Sequence, residues 1–401
     1  MRGLAEFPLA LAVAAAACHR PDPRVERGRY LANGILQCFV CHSPRDESQP
    51  GWPPVAGKLG SGGLIWEDGA RRLWAPNITP DVETGAGGWS DQVLADAITR
   101  GIGHDGRTLS LPMYWRTFAE LSDEDVTAVI AYLRTLPPVK NAVPKRALGE
   151  EREKELAATA HPPRKKVAPP GPTPAERGRY FLIAADCGGC HTSWEAPVNA
   201  GFMAGGNAVD RKNAVVFSAN ITPSASGIGG WDETTFIAAM RTGQAPRQAI
   251  DPIMPWTSFR NLTDEDLTAM FAALRELRPV SHAISNIDPP TECPRCGQKH
   301  GLGEKNGPKI LAPYKLDEAT LAALVGRYRY QDGTELALAN ESGKIIVHLP
   351  GAPPLELTPI SPDELDAPFL ESPVRLERDA HGSVTRLVGQ REAPDIAVRI
   401  P

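Results

Sequence analysis

Two pentapeptides concentrate the chemistry this sequence can do. Cys38-Phe39-Val40-Cys41-His42 and Cys187-Gly188-Gly189-Cys190-His191 each place two thiols one helical turn apart, with an imidazole directly after the second. That spacing suits covalent haem attachment. Two such thiols reach the two vinyl groups on one side of a porphyrin, and the imidazole lies beneath the iron as proximal ligand. A disulfide, a redox dithiol or half of a zinc site would also use a Cys pair. A zinc site, however, needs further Cys or His at suitable spacing, and neither pentapeptide has a close second pair. With 7 Cys and 9 His in 401 residues, two chance occurrences are far rarer than one. The sequence therefore predicts two covalently bound haem c groups, held by Cys38, Cys41 and His42 and by Cys187, Cys190 and His191.

The other cysteines need separate readings. Cys293-Pro294-Arg295-Cys296 is followed by Gly297, so no imidazole occupies the ligand position and a third haem of the usual kind is excluded. In an oxidising compartment a local Cys293–Cys296 disulfide is expected; a metal site that also uses His300 is the alternative. Cys18 ends an N-terminal stretch in which Arg2 precedes an apolar run from Phe7 to Ala17. A charged start, an apolar block and small residues read as an export signal, too short for a transmembrane helix. The stretch resembles a bacterial lipoprotein box, in which Cys18 becomes the lipidated first residue. A plain secretory signal and an uncleaved anchor are the alternatives. The expected location is the periplasm, with a lipid anchor if Cys18 is acylated. A net charge of −5 gives no reason to expect nucleic acid as a partner.

Both haem-type motifs sit in a repeated frame. Glu26-Arg27-Gly28-Arg29-Tyr30 precedes the first and Glu176-Arg177-Gly178-Arg179-Tyr180 the second. Asn77-Ile78-Thr79-Pro80 recurs as Asn220-Ile221-Thr222-Pro223, and Gly88-Trp89 as Gly230-Trp231. Arg100 lies thirteen positions before Met113, and Arg241 thirteen before Met254. A helix after Trp89 is expected to end at Gly101, and its partner after Trp231 at Gly243. Each half closes with another helix, capped by Ser122 or Thr263 ahead of three acids, and stopped at Pro137 or Pro279. Gly101-Ile102-Gly103-His104-Asp105-Gly106 has glycine-loop spacing but follows a helix, without the strand–turn–helix setting of a dinucleotide site.

This order of elements resembles the small all-α class of cytochrome c, in which first and last helices cross beside the haem. More narrowly, the Asn-Ile-Thr-Pro, Gly-Trp and Met-Pro-Trp marks resemble the cytochrome c subunits of periplasmic alcohol, aldose or gluconate dehydrogenases. The resemblance covers about residues 24–138 and 174–279. Members of that family often hold three haems, whereas this chain carries two motifs. The resemblance implies distal thioether ligands at Met113 and Met254, both in Pro-bearing loops between expected helices. With His42 and His191 they would close both irons and suit them to electron transfer. Met240 and Met270 are expected in the core, and Met203 and His104 are weaker ligand candidates. Trp89, Arg100, Trp231 and Arg241 are expected around the haems, where indole and guanidinium groups can hold buried propionates.

The expected fold is mostly α: two tandem all-α cytochrome c domains followed by a small antiparallel β domain. Residues 1–18 form the export signal, 24–138 and 174–279 the cytochrome domains, and 313–401 the β domain. Residues 139–173, with eight Lys or Arg against four Glu, read as a solvated, partly helical linker. Residues 280–312 form a second connector containing Cys293 and Cys296. From Leu316, alternating strands separated by Asp332-Gly333, Ser342-Gly343 and His381-Gly382 suggest a meander or barrel. It resembles the accessory β domain of penicillin-binding-like serine hydrolases and contains no nucleophile–base pattern. The expected function is a single-electron relay between a donor such as a dehydrogenase and a cytochrome or oxidase acceptor of a respiratory chain. The chain is expected to act as an electron-transfer subunit and not as a self-sufficient enzyme. A dihaem peroxidase with one open iron and a haem-based sensing lipoprotein are the alternatives.

Overall fold

The computed structural model describes residues 22–161, 163–194, 201–211, 214–307, 314–331, 333–350, 354–367, 370, 373–389 and 396–401. Cys18 and the export segment lie outside the described residues, and among these no helix is long and apolar enough to cross a membrane.

In the first repeated half, Asp22 caps α1 (Pro23–Asn33) by accepting from the Arg24 amide, with Pro23 in the first turn where its missing N–H costs nothing. The motif turn α2 (Cys38–Cys41) follows, then a hairpin of β1 (Gly63–Asp68) and β2 (Arg71–Ala75). Ser90 caps α3 (Asp91–Arg100), which ends on left-handed Gly101. A single turn, α4 (Trp115–Phe118), leads to α5 (Asp123–Leu133), capped by Ser122 with Asp123, Glu124 and Asp125 in its positive first turn. Helix α6 (Glu150–Ala157) lies in the segment that joins the halves.

The second half repeats the plan. A Thr173/Glu176 capping box starts α7 (Pro174–Ala184), followed by α8 (Cys187–His191) and a hairpin of β3 (Ala208–Arg211) and β4 (Ala214–Phe217). Helix α9 (Glu233–Thr242) ends on left-handed Gly243; α10 (Trp256–Phe259) and the Thr263-capped α11 (Asp264–Arg275) complete it.

The recurring Glu-Arg-Gly-Arg-Tyr segment now has a physical explanation. Helix α1 crosses α5 so closely that a Cβ at Gly28 would lie 1.9 Å from the Ala128 carbonyl oxygen. Gly178 on α7 meets Ala269 on α11 at 1.8 Å in the same way. Only glycine permits either crossing. Arg27 pairs with Asp125 through two 2.8 Å bonds, and Arg177 pairs with Asp266 and Glu265. The tyrosines reach into the opposite half. Tyr180 donates to Asp125 at 2.7 Å and accepts from the Ser122 amide at 3.1 Å, while Tyr30 donates to Asp266 and accepts from the Thr263 amide at 3.0 Å. Burial, and then the facing carboxylate, raise both phenols to about 12, so they remain donors. One hydrophobic core runs through both halves, from Leu31, Ile35 and Phe39 to Phe181, Leu262 and Leu267.

The segment expected as a solvated linker lies against the first half. Ala147 bridges to Arg72 on β2, and Leu148 and Leu156 bury with Leu73. Arg164 pairs with Asp123 at 2.5 Å, and His161 bonds to Thr108 and to the Arg100 carbonyl. The second connector carries β5 (Ser285–Glu292) paired with β6 (Lys299–Gly301).

After α12 (Glu318–Leu324), eight strands close an antiparallel barrel: β7 (Gly326–Tyr330), β8 (Glu335–Glu341), β9 (Lys344–His348), β10 (Leu355–Ser361), β11 (Glu364–Asp366), β12 (Val374–Arg378), β13 (Val384–Gly389) and β14 (Ile396–Ile400). Each pairs with the next, and β14 returns to β7 with Ala397 opposite Tyr330. Leu336, Leu338, Ile345 and Val347 alternate inward, as the two-residue period of a strand requires. Closure leaves no sheet edge. Arg278, just past α11, pairs with buried Asp366 at 2.7 Å and ties the barrel to the second half.

The mostly-α expectation is therefore wrong. The chain is 29% helix and 23% strand, with an eight-stranded barrel. The helices are short, and the segments after both motifs fold back as hairpins. Asp68-Gly69, with Gly69 at φ 57°, turns the first of them.

Candidate functional site

Each motif is preceded by a residue in the left-handed region, Gln37 at φ 53° or Asp186 at φ 53°, which turns the chain sharply into it. A single helical turn then holds the two thiols, closed by the His42 amide on the Cys38 carbonyl at 2.9 Å and by the Thr192 amide on Gly188 at 2.9 Å. All four sulfurs are free thiols here. Burial pushes Cys38 up to about 12, Cys41 to about 11 and Cys187 to about 12, and it raises Cys190 as well.

The imidazoles are held identically. His42 Nδ1 lies 2.8 Å from the Pro76 carbonyl, and His191 Nδ1 lies 2.7 Å from the Ala219 carbonyl. A carbonyl can only accept, so Nδ1 carries the proton and Nε2 keeps its lone pair for a metal. Burial lowers both imidazole pKa values and favours that neutral form. The carbonyls belong to the residues just before Asn77 and Asn220. Asn77 Oδ1 accepts from Thr79 at 3.0 and 2.7 Å while its amide donates to the Val139 carbonyl at 2.7 Å. Asn220 does the same with Thr222, at 2.9 and 2.7 Å, and with Val280 at 2.7 Å. The Asn-Ile-Thr-Pro repeat thus builds the loop that orients each histidine. Pro76 and Ala219 act through backbone atoms, so no side-chain signal marked them.

Met113 and Met254 occupy matching turns, both half-buried against the common core. The aromatic two residues later fixes each turn. A Cβ at Gly101 would lie 2.5 Å from the Trp115 ring, and one at Gly243 2.4 Å from the Trp256 ring, so each indole rests on a glycine helix end. Trp256 Nε1 is buried without a hydrogen-bond partner, a donor that suits a propionate of a bound haem. The free thiols, the oriented Nε2 atoms and this orphaned donor all fit the group. Met240 and Met270 are core residues, and Met203 is buried with φ 56°.

The proposed haem surround divides differently. Trp89 is half-buried and stacks on exposed His104 with ring centres 4.3 Å apart; Trp231 packs on the core. Arg100 pairs with Asp96 at 3.0 Å and donates to the His161 carbonyl. Arg241 pairs with Asp264 at 2.6 Å and donates to the Arg260 carbonyl. Both guanidinium groups therefore join protein elements. Cys293 and Cys296, expected as a local disulfide, are buried and unbridged.

The two motifs lie close together. Gln37, directly before Cys38, donates its side-chain amide to the Ala185 carbonyl at 3.0 Å, two residues before Cys187. The Tyr114 phenol is raised first by burial, then by the nearby Cys190 and Cys41 sulfurs and the Asp186 carboxyl.

Residues 25–137 match the family model described as cytochrome c. The match of this segment to that class supports covalent haem c and electron transfer. Among curated proteins, the chain is 27% identical over 297 residues to the cytochrome c subunit of the quinone alcohol dehydrogenase of Gluconobacter oxydans, covering 67% of this chain and 59% of that one. It is 29% identical over 280 residues to the gluconate 2-dehydrogenase cytochrome c subunit of Pantoea cypripedii, covering 64% and 60%. A diheme cytochrome c-type protein of Cereibacter sphaeroides is 26% identical over 267 residues, 60% of this chain and 81% of that one. The chain spans about 59% of the first of these relatives.

Proposed function

We propose that the chain is a dihaem c-type cytochrome that relays single electrons from a dehydrogenase to a respiratory acceptor in the periplasm, anchored through acylated Cys18. The observation that carries this reading is the matched pair of Cys-x-x-Cys-His turns, each with its imidazole held by a backbone carbonyl and joined by the Gln37–Ala185 hydrogen bond. Residues 24–138 and 174–279 would be the two cytochrome domains and 313–401 an accessory barrel.

Bound haem supplies a one-electron iron couple. The protein's own groups do the rest. Cys38, Cys41, Cys187 and Cys190 would hold the haem covalently, His42 and His191 would offer Nε2, and Met113 and Met254 would offer thioethers. A thioether partner favours the reduced state and denies small molecules an open position. One buried core runs through both halves, and the Gln37–Ala185 hydrogen bond ties the two motifs together.

The test is haem stoichiometry and ligation on the full chain matured with a haem-ligation system. Two haems per chain by alkaline pyridine spectra, with a near-infrared thioether-to-iron band and no rapid carbon monoxide binding, is the expected result. A single haem, or one site that binds carbon monoxide at once, contradicts the relay.

A further inference from the structure

We propose that His282, Cys293, Cys296 and His300 form a structural zinc site. The four side chains converge from the connector after the second half, and their donor atoms all lie within 4.8 Å of one another. All four are buried, with exposures of 0%, 0%, 2% and 0%. Cys293 Sγ lies 3.5 Å from His282 Nε2, and Cys296 Sγ lies 3.4 Å from His300 Nε2. Zinc bonds of about 2.3 Å to sulfur and about 2.0–2.1 Å to nitrogen, at tetrahedral angles, put neighbouring sulfur and nitrogen roughly 3.5 Å apart. The two measured edges match that value.

The backbone is shaped for the same end. Cys-Pro-Arg-Cys-Gly forms a tight turn in which the Gly297 amide donates to the Cys293 carbonyl at 2.8 Å and the Cys293 amide to Gln298 at 3.0 Å. Gly297 sits at φ 71°, where glycine is favoured, and lets the chain double back. The turn joins β5 to β6, and Glu292 pairs with Lys299 across it, which brings His300 up beside the thiols.

Both imidazoles present the correct nitrogen. His282 Nδ1 bonds to the Ala204 carbonyl at 2.8 Å and His300 Nδ1 to the Gly301 carbonyl at 2.8 Å, so each Nε2 faces the sulfurs with its lone pair. Asn306 points its amide at Cys293 Sγ from 3.5 Å, a donor suited to a thiolate. Two thiolates and a dication sum to zero charge, which suits a buried site. Two sulfurs and two imidazoles in a closed tetrahedron favour zinc over hard cations, and four protein ligands mark a structural and not a catalytic centre.

The duplicated frame shows what the site does. In the first half Asn141 donates to the Ser61 carbonyl at 2.8 Å, and the next amide, from Gly62, donates to the His42 carbonyl at 2.8 Å. In the second half His282 donates to Ala204, and Gly205 donates to the His191 carbonyl at 2.6 Å. His282 therefore stands where Asn141 stands, and a zinc ion on it would brace the loop beside His191.

The test uses the full haem-loaded chain, in which the only thiols left among the described residues are Cys293 and Cys296. Elemental analysis should give about one zinc per chain, and zinc-edge X-ray absorption should give two sulfurs at about 2.3 Å and two nitrogens at about 2.0 Å. A mercurial titration should release that zinc as two thiols react. His282→Asn, which restores the first half's amide, should lose the zinc and keep both haems, as should Cys293→Ser with Cys296→Ser. A chain that carries a Cys293–Cys296 disulfide by mass, or takes up no zinc after reduction, overturns the site. Zinc that survives all these substitutions also overturns it. The zinc content, the X-ray absorption and the thiol titration do not depend on the electron-relay reading; only the retention of both haems rests on it.

Discussion

The loop facing His42 is held by a side-chain amide from Asn141, and the corresponding loop facing His191 by the imidazole of His282. The first half is further covered by the 139–173 segment, whose Leu148 and Leu156 bury against β2. The second half has the Cys/His cluster and the β5–β6 hairpin in that position. The residue before each motif also differs, Gln37 in one half and Asp186 in the other, at the same left-handed angle. The duplication preserved hydrogen-bond geometry while the side chains that supply it diverged. Two copies of one frame can then carry different bracing and different local charge without altering how either histidine is presented.

Removing one motif should break the comparison most completely. Changing Cys187 and Cys190 to Ala should lower covalent haem from two to one per chain, read by mass and pyridine spectra, with the first half still loaded. Next in size, Met113→Ala or Met254→Ala should open one iron each. Either variant should gain carbon monoxide binding, lose part of the near-infrared band and lower the potential of its own haem only. Equivalent responses would show that the halves use the same distal chemistry.

The crossing glycines should behave as a matched pair. Gly28→Ala and Gly178→Ala each force a methyl onto a backbone carbonyl, at a cost of about 1–3 kcal/mol or more, read by denaturant melts. Tyr30→Phe and Tyr180→Phe should each cost about 1–3 kcal/mol, because a buried carboxylate loses a donor. Their double mutant should test whether the two exchanges act independently.

The finest difference is a titration. Burial raises Asp186 from 3.8 to about 6, whereas Gln37 has no charge to gain. A folded-state value above the unfolded one means the native protein binds the extra proton between about 3.8 and about 6. Its contribution is therefore present at low pH and lost as pH rises through that window. The new negative charge should also lower the second haem's potential above about pH 6. Asp186→Asn should flatten both trends in redox titrations and melts, leaving the first haem unchanged.

The motif residues and the repeat were readable because their chemistry is local. A thiol pair and a histidine within five positions, Ser122 and Thr263 as caps, and Gly101 and Gly243 as helix ends all act over one turn. The strands from Leu316 onward were also legible through their two-residue alternation, although closure into a ring depends on β14 meeting β7. What escaped is non-local. The Pro76 and Ala219 carbonyls act through backbone, and His282 lies eleven residues before Cys293 without a spacing that marks it. The mostly-α expectation gave too much weight to short helices and too little to the eight-stranded barrel.

The tyrosines that cross between the halves have a further consequence. Asp125 and Asp266 each pair with an arginine of their own half and accept from a tyrosine of the other, so separating the halves would remove one partner from each acid and bare the shared core to water. The two halves should therefore unfold together, in one transition.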